Sequence, residues 1–137
     1  MPGMIEAMSV GPYDGESINA LLIYEGENDV RVSEVTGKEL DFLVAKCRGI
    51  QTQMWQDYCM RRVAHSAWGA YRPSTRWNEG GPIIEQEKII LSHLPDSNDL
   101  EHWSGRIHGM EAVTLGETPL IAAMRCYVYS KLGEEVT

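Results

Sequence analysis

Apolar residues recur with helical spacing near the middle of the chain. Thr36 followed by Glu39 has the capping-box pattern of a helix start, and Gly49 supplies the left-handed residue that commonly ends a helix. The pattern predicts a helix between Thr36 and Gly49. Its apolar side chains fall at positions i, i+3, i+4 and i+7, which places them on one face: Leu40, Leu43, Val44 and Cys47.

A second predicted helix lies near the end of the chain. Thr118 suits the N-cap, Pro119 suits the first helical position, and Gly133 follows the last periodic residue. Arg125 lies one position away from the apolar stripe, and two interpretations stay open. We favour an arginine at the solvated edge of the helix over a salt bridge to Glu85. The stripe itself consists of Leu120, Met124, Tyr127, Val128 and Leu132.

Several shorter segments have the character of strands. Residues 20–24 are uninterruptedly apolar and predict a strand that forms a hairpin with residues 30–32 across Gly26. Residues 89–94 and residues 102–107 predict two further strands, joined by a run of turn-forming Pro, Asp, Ser and Asn.

The central segments have weaker patterns. Residues 51–63 fit a helix through the spacing of Trp55, Cys59 and Val63, and residues 64–71 fit a strand. A short helix is expected to open at the Gly-Gly-Pro sequence of residues 80–82. Together these elements predict an α+β fold, with an antiparallel sheet of three or more strands packed by two or more helices in a single compact domain.

Composition narrows the function classes. The 137 residues are 43% hydrophobic, which predicts a folded core. The net charge of −8 argues against direct binding to nucleic acid, because proteins gain affinity for nucleic acid mainly through cationic side chains. Arg61-Arg62 is the only adjacent basic pair.

Residues 1–10 lack a secretion signal, and no apolar stretch is long enough to cross a bilayer. We therefore expect a cytoplasmic protein with no membrane association and with reduced thiols.

The motifs of catalysis and metal binding are missing from the sequence. The four histidines and three cysteines do not have the short spacings of metal sites, so no metal and no cofactor are expected. Neither a GxSxG nucleophile motif nor a Gly-rich phosphate loop occurs. No catalytic residue can be named, and whether the protein is an enzyme stays open, with a non-enzymatic role favoured.

One stretch, YRPSTRWNEGGPIIE at residues 71–85, resembles the signature loop of the NinX-like family of lambdoid phage accessory proteins. Residues 30–47 and residues 116–128 match the family in the same order, and Trp103 falls between them. The resemblance implies a NinX-like domain at residues 30–137. Because the family usually begins near Val30, it also implies that residues 1–29 are an N-terminal extension or an upstream start. It implies a role among phage accessory functions near recombination and late control in the bacterial host, and brings no catalytic residues.

Residues 71–85, called the signature loop from here on, have two interpretations. In the structural one, which we favour, Trp77 fills the core while the glycines permit a sharp turn. In the functional one, Gly80 and Gly81 present free amides to an anion at a helix start, with Arg72 or Arg76 as the charge partner. The candidate binding residues are Tyr71, Arg72, Ser74, Thr75, Trp77, Gly80, Gly81, Glu85 and Arg125.

Three functions remain compatible with these observations. The first is an interaction module for a host or phage protein, because Trp, Tyr and Arg dominate the energetics of protein interfaces. The second is a small-ligand-binding protein or an enzyme with a pocket near the signature loop. The third is nucleic-acid binding in phage recombination. The sequence leaves the oligomeric state open, a homo-oligomer included.

Overall fold

The computed structural model describes residues 30–64, 67–95 and 100–136. The strand predicted at residues 20–24 and the turn at residues 96–99 lie outside these ranges. The described helices are α1 (Gly37–Arg48), α2 (Trp77–Glu87) and α3 (Pro119–Leu132). The described strands are β1 (Val30–Arg31), β2 (Thr52–Met54), β3 (Cys59–Ala64), β4 (Ala67–Ala70), β5 (Ile89–His93), β6 (Trp103–Ile107), β7 (Thr114–Gly116) and β8 (Glu135–Val136).

The described strands form three antiparallel sheets. One contains β2, β3 and β4 in sequence order, another contains β5, β6 and β7 in sequence order, and β1 pairs with β8. The α+β class is therefore confirmed, with the strands divided among several small sheets.

Helix α1 confirms the first predicted helix. It begins after Thr36, whose backbone is extended, and Gly49 ends it in the left-handed conformation with φ of 71°. The Thr36 side chain makes no capping hydrogen bond, so the reciprocal bonds expected with Glu39 are not formed. Leu40 and Leu43 are fully buried, as their spacing predicts.

Helix α3 packs on the β5–β6–β7 sheet at very short range. Its N-cap is the predicted one, because the Thr118 hydroxyl accepts a hydrogen bond from the Ile121 amide at 3.1 Å. Ala122 lies directly on the sheet, where a Cβ on Gly105 would come within 2.9 Å of the Ala122 carbonyl oxygen. A Cβ on Gly116 would lie 2.5 Å from the Ala122 nitrogen. Small residues on both partners thus set the distance between helix and sheet.

The prediction of a helix at residues 51–63 is wrong. This segment forms the hairpin β2–β3, in which Thr52 pairs with Arg61 and Met54 pairs with Cys59. The presumed helical stripe does not face the core, since Trp55 is 49% exposed and Val63 is 59% exposed. The strand expected at residues 64–71 is confirmed for Ala67–Ala70, which form β4.

The main core is formed by α1 and α3, which pack against each other, with contributions from β3, β5 and α2. Its largest fully buried side chains include Phe42, Leu43, Met124 and Val128. In the described part of the chain, no helix is long and apolar enough to span a membrane.

Candidate functional site

Two carboxylates hold the start of the signature loop. The Ser74 amide donates to Oδ1 of Asp41 on α1 at 2.8 Å. The Arg72 amide donates to Oε1 of Glu79 on α2 at 2.7 Å. Backbone donors on both sides of Pro73 are thereby satisfied by acceptors from two different helices, which fixes the loop relative to the core.

Asp41 is a buried carboxyl, 3% exposed. Burial raises the pKa of Asp41 to about 6, and the hydrogen bonding with Ser74 offsets part of that rise. Burial likewise raises the pKa of the neighbouring Cys59 thiol to about 12, which keeps it protonated and unreactive. A carboxyl that is buried and accepts from the Ser74 amide is suited to holding the backbone of the loop.

Helix α2 begins at Trp77, three residues earlier than expected. The Gly80 amide donates to the Arg76 carbonyl at 2.8 Å inside the helix, so it is not free for an anion. The interpretation that the two glycines form an anion-binding helix start is therefore wrong for Gly80. Gly80 instead permits a close approach, because a Cβ there would overlap the Pro73 carbonyl oxygen and lie 2.6 Å from Cδ2 of Leu120.

Trp77 does not fill the core. Its side chain is 56% exposed, which overturns the structural interpretation that made it an anchor. It lines a groove of about 210 Å³ between the signature loop and the first turn of α3. The other residues of this groove are Ser74, Thr75, Thr118, Pro119, Leu120 and Ile121.

Arg125 is buried, 4% exposed, and both interpretations drawn from its position in the sequence are wrong. Its Nη1 donates to Glu101 Oε2 at 2.8 Å and to the Leu115 carbonyl at 2.6 Å. Its Nε donates to the Val35 carbonyl at 3.0 Å. Arg125 thus ties α3 to three distant segments, and Glu85 is not among its partners.

Some of the remaining candidate residues support the loop through contacts within the fold, and the others lie on the surface. Tyr71 is buried, and its amide donates to the Cys59 carbonyl at 2.7 Å. The Arg72 guanidinium lies 5.1 Å from the centroid of the Tyr58 ring, a cation–π distance. Thr75 is exposed near Trp77, and a Cβ at Gly81 would make an ordinary contact with Cε3 of Trp77 at 3.9 Å. Glu85 is exposed farther along α2. The structure therefore brings only Ser74, Thr75 and Trp77 together around one groove.

A sequence model of the family described as Bacteriophage P22, NinX matches residues 31–131. The chain belongs to the NinX family. The matched range includes the whole signature loop, Asp41 and the first turn of α3, so the groove and its supports lie within the NinX domain. Comparison with curated proteins finds no match.

The titratable groups of this NinX-family chain do not gather as metal ligands within the described ranges. No group of three or more His, Cys, Asp or Glu residues that would hold a metal ion lies in residues 30–64, 67–95 and 100–136. His93 instead packs against Trp103, with ring centroids 4.9 Å apart.

A second concavity in the NinX domain was not expected from the sequence. It has a volume of about 370 Å³ and lies between the end of α1, strand β3 and α2. Its polar lining consists of Arg48, Arg61, Tyr71, Asn78 and Glu79. In the sequence, the adjacent pair Arg61-Arg62 was the one sign of positive charge at this concavity. The residues around the pair could not be predicted, because the segment was expected to be a helix and forms the β2–β3 hairpin.

Proposed function

We propose that this NinX-family phage protein is a non-enzymatic interaction module, which binds a phage or host protein in the cytoplasm of the infected cell. The observation that carries the proposal is the exposed indole of Trp77 beside the groove at the start of α3. A tryptophan with more than half of its surface in solvent represents a large apolar area that a partner can bury.

The chemistry around Trp77 supports a protein partner. Thr75 and Arg76 are exposed immediately before it, and the groove floor contains Leu120 and Ile121. Trp and Arg are the residue types most enriched among interface hot spots. We therefore expect a partner that inserts an apolar side chain into the groove and offers a carboxylate to Arg76.

The support of the signature loop favours a preformed surface. Asp41 and Glu79 hold the backbone at Ser74 and Arg72, and Gly80 seats α2 against Pro73. A surface held in this way loses little conformational entropy on binding, which improves affinity. The net charge of −8 gives no support to the nucleic-acid alternative.

The test compares two exposed tryptophans. Trp77→Ala removes the proposed contact, and Trp55→Ala is a matched control because Trp55 is also exposed, at 49%, but lies in the β2–β3 hairpin. Nuclease-treated lysate of infected cells is passed over each immobilised protein, and the retained proteins are identified. The candidate partner is then purified, and its affinity for each variant is measured by calorimetry.

The proposal predicts that a purified partner binds the wild type and Trp55→Ala equally and binds Trp77→Ala at least roughly tenfold more weakly, the effect of a hot-spot residue. Equal affinity for Trp77→Ala would contradict it. Sedimentation of each variant alone is the second readout, because a self-association lost only in Trp77→Ala identifies a second copy of the chain as the occupant.

A further inference from the structure

The cleft between α1, β3 and α2 concentrates positive charge in an acidic protein. Arg48 and Arg61 both line it, although the whole chain has a net charge of −8. Within residues 30–64, 67–95 and 100–136, neither arginine forms a salt bridge with a carboxylate. The carboxylate of Glu79 also lines the cleft, so two guanidinium groups stand against one carboxylate, and the excess positive charge favours a bound anion.

The hydrogen-bonding capacity of both arginines is only partly used. Nη2 of Arg48 donates to Oε1 of Gln86 at 3.2 Å. The Arg61 guanidinium lies 5.6 Å from the centroid of the Tyr71 ring, and its buried Nε has no hydrogen-bond partner among the described residues. A guanidinium has five N–H donors, and buried donors in native proteins are nearly always paired. The buried Nε is not itself open to the cleft, so the donors that Arg61 offers to a ligand are those of its terminal Nη groups.

The other polar residues of the cleft narrow the ligand class. Guanidinium groups match the geometry of phosphate oxygens, which accept two parallel hydrogen bonds. Asn78 and Glu79 line the same cleft and accept hydrogen bonds. Glu79 repels a bare phosphate but accepts from a hydroxyl or amino group. A cleft of about 370 Å³ has the size of a small-molecule site.

We propose that this cleft binds a small organic phosphate that also carries hydroxyl or amino donors, with Arg48 and Arg61 on the phosphate and Asn78 and Glu79 on the donors. A mononucleotide has this chemistry. The proposal is independent of the interaction surface at Trp77, which uses different residues, so the Trp77→Ala variant is expected to bind the phosphate normally.

Calorimetric titration of the purified full chain tests the site at constant ionic strength. The probes are adenosine monophosphate, ribose 5-phosphate, inorganic phosphate and adenosine. The variants are Arg61→Gln and Arg48→Gln, and the matched control is Arg106→Gln, which removes an exposed arginine of strand β6. Thermal unfolding of each variant checks its fold, and Arg61→Lys replaces Arg61→Gln if the latter does not fold.

We expect saturable binding of at least one organic phosphate, weakened roughly tenfold or more in Arg61→Gln and Arg48→Gln and unchanged in Arg106→Gln. Adenosine without phosphate is expected not to bind. Absence of saturable binding by both organic phosphates overturns the proposal, and so does equal weakening in Arg106→Gln, which would indicate a diffuse charge effect. If inorganic phosphate binds as tightly as the organic phosphates, the hydroxyl and amino donors contribute nothing, and the proposal of an organic phosphate as the ligand is overturned.

Discussion

The Ser74 amide donates a hydrogen bond to Oδ1 of Asp41 at 2.8 Å, across 33 residues of sequence. Asp41 lies in α1 and is 3% exposed, so this bond crosses the interior. It fixes the signature loop to the helix that forms the centre of the core. The Arg72 amide makes the equivalent bond to Glu79, so a carboxylate is used on each side of Pro73.

Substitutions at Asp41 separate its role as an acceptor from its charge. Asp41→Asn keeps an oxygen for the Ser74 amide and removes a carboxylate that burial disfavours, since the pKa is raised to about 6. We expect it to increase the free energy of unfolding at pH 7.5 by roughly 1–2 kcal/mol. Asp41→Ala leaves the Ser74 amide unpaired and is expected to lower that free energy by roughly 1–3 kcal/mol. Urea unfolding of the three proteins measures both changes, and equal stability of the two variants would contradict the acceptor role.

The same carboxyl predicts a pH dependence of stability. The pKa of Asp41 is about 6 in the folded protein and 3.8 in the reference state, so the folded state holds the additional proton between these values. Its contribution to stability is therefore greatest below pH 4 and decreases as the pH rises through 6. The charged groups that act on it are Glu79, which raises the pKa, and Arg72, which lowers it.

The matched measurement is the difference in unfolding free energy between Asp41→Asn and the wild type. This difference is expected to be smallest below pH 4 and to grow until about pH 7, because only the wild type has a titrating group at this position. A difference that stays constant across this range would show that Asp41 does not titrate as its burial implies.

The helices α1 and α3 could be predicted because several local signals agree in each. The apolar stripe of α3 predicts a helix with the same bounds as its terminal residues do. These are the cap Thr118, the proline after it and the final Gly133.

The hairpin β2–β3 was missed for a physical reason. Thr52, Gln53 and Met54 are all buried, so β2 lacks the alternation that identifies a strand, while Trp55, Cys59 and Val63 repeat every four residues like a helix.

The candidate site was predictable only in part, because its geometry depends on contacts between distant residues. The sequence identified the loop that contains Trp77, but it did not show that this side chain is 56% exposed or that Gly80 packs on Pro73 and Leu120. Arg125 could not be assigned, since its acceptors are Val35, Glu101 and Leu115 from other segments. No spacing within α3 encodes those partners.

Arg125 is expected to be important for stability. Arg125→Met keeps the apolar volume but leaves the Val35 and Leu115 carbonyls without this donor, and we expect it to lower the free energy of unfolding by roughly 2–4 kcal/mol. Glu101→Gln retains an acceptor at a side chain that is 33% exposed, so its effect is expected to be smaller. Chemical denaturation measures both, and an Arg125→Met protein as stable as the wild type would refute the role of Arg125 as a tie between segments.

Two neighbouring glycines in α2 provide the sharpest test of the packing beneath the signature loop. Alanine is favoured over glycine inside a helix by about 1 kcal/mol, so both Gly80→Ala and Gly81→Ala gain helix propensity. At Gly81 the nearest atom to the new Cβ is Cε3 of Trp77 at 3.9 Å, an ordinary contact, and we expect a gain of roughly 0.5–1 kcal/mol in unfolding free energy. At Gly80 the new Cβ overlaps the Pro73 carbonyl, which is backbone and cannot rotate away, and meets Leu120 at 2.6 Å.

Gly80→Ala is therefore expected to lose roughly 1–3 kcal/mol of stability in spite of its higher propensity. It is also expected to weaken partner binding at Trp77, because the displaced loop lines the same groove, whereas Gly81→Ala should leave that binding intact. Thermal and urea unfolding of the pair measure the first effect. Stabilisation of both variants to the same extent would mean that α2 does not seat against Pro73, and the support assigned to the loop would then rest on Asp41 and Glu79 alone.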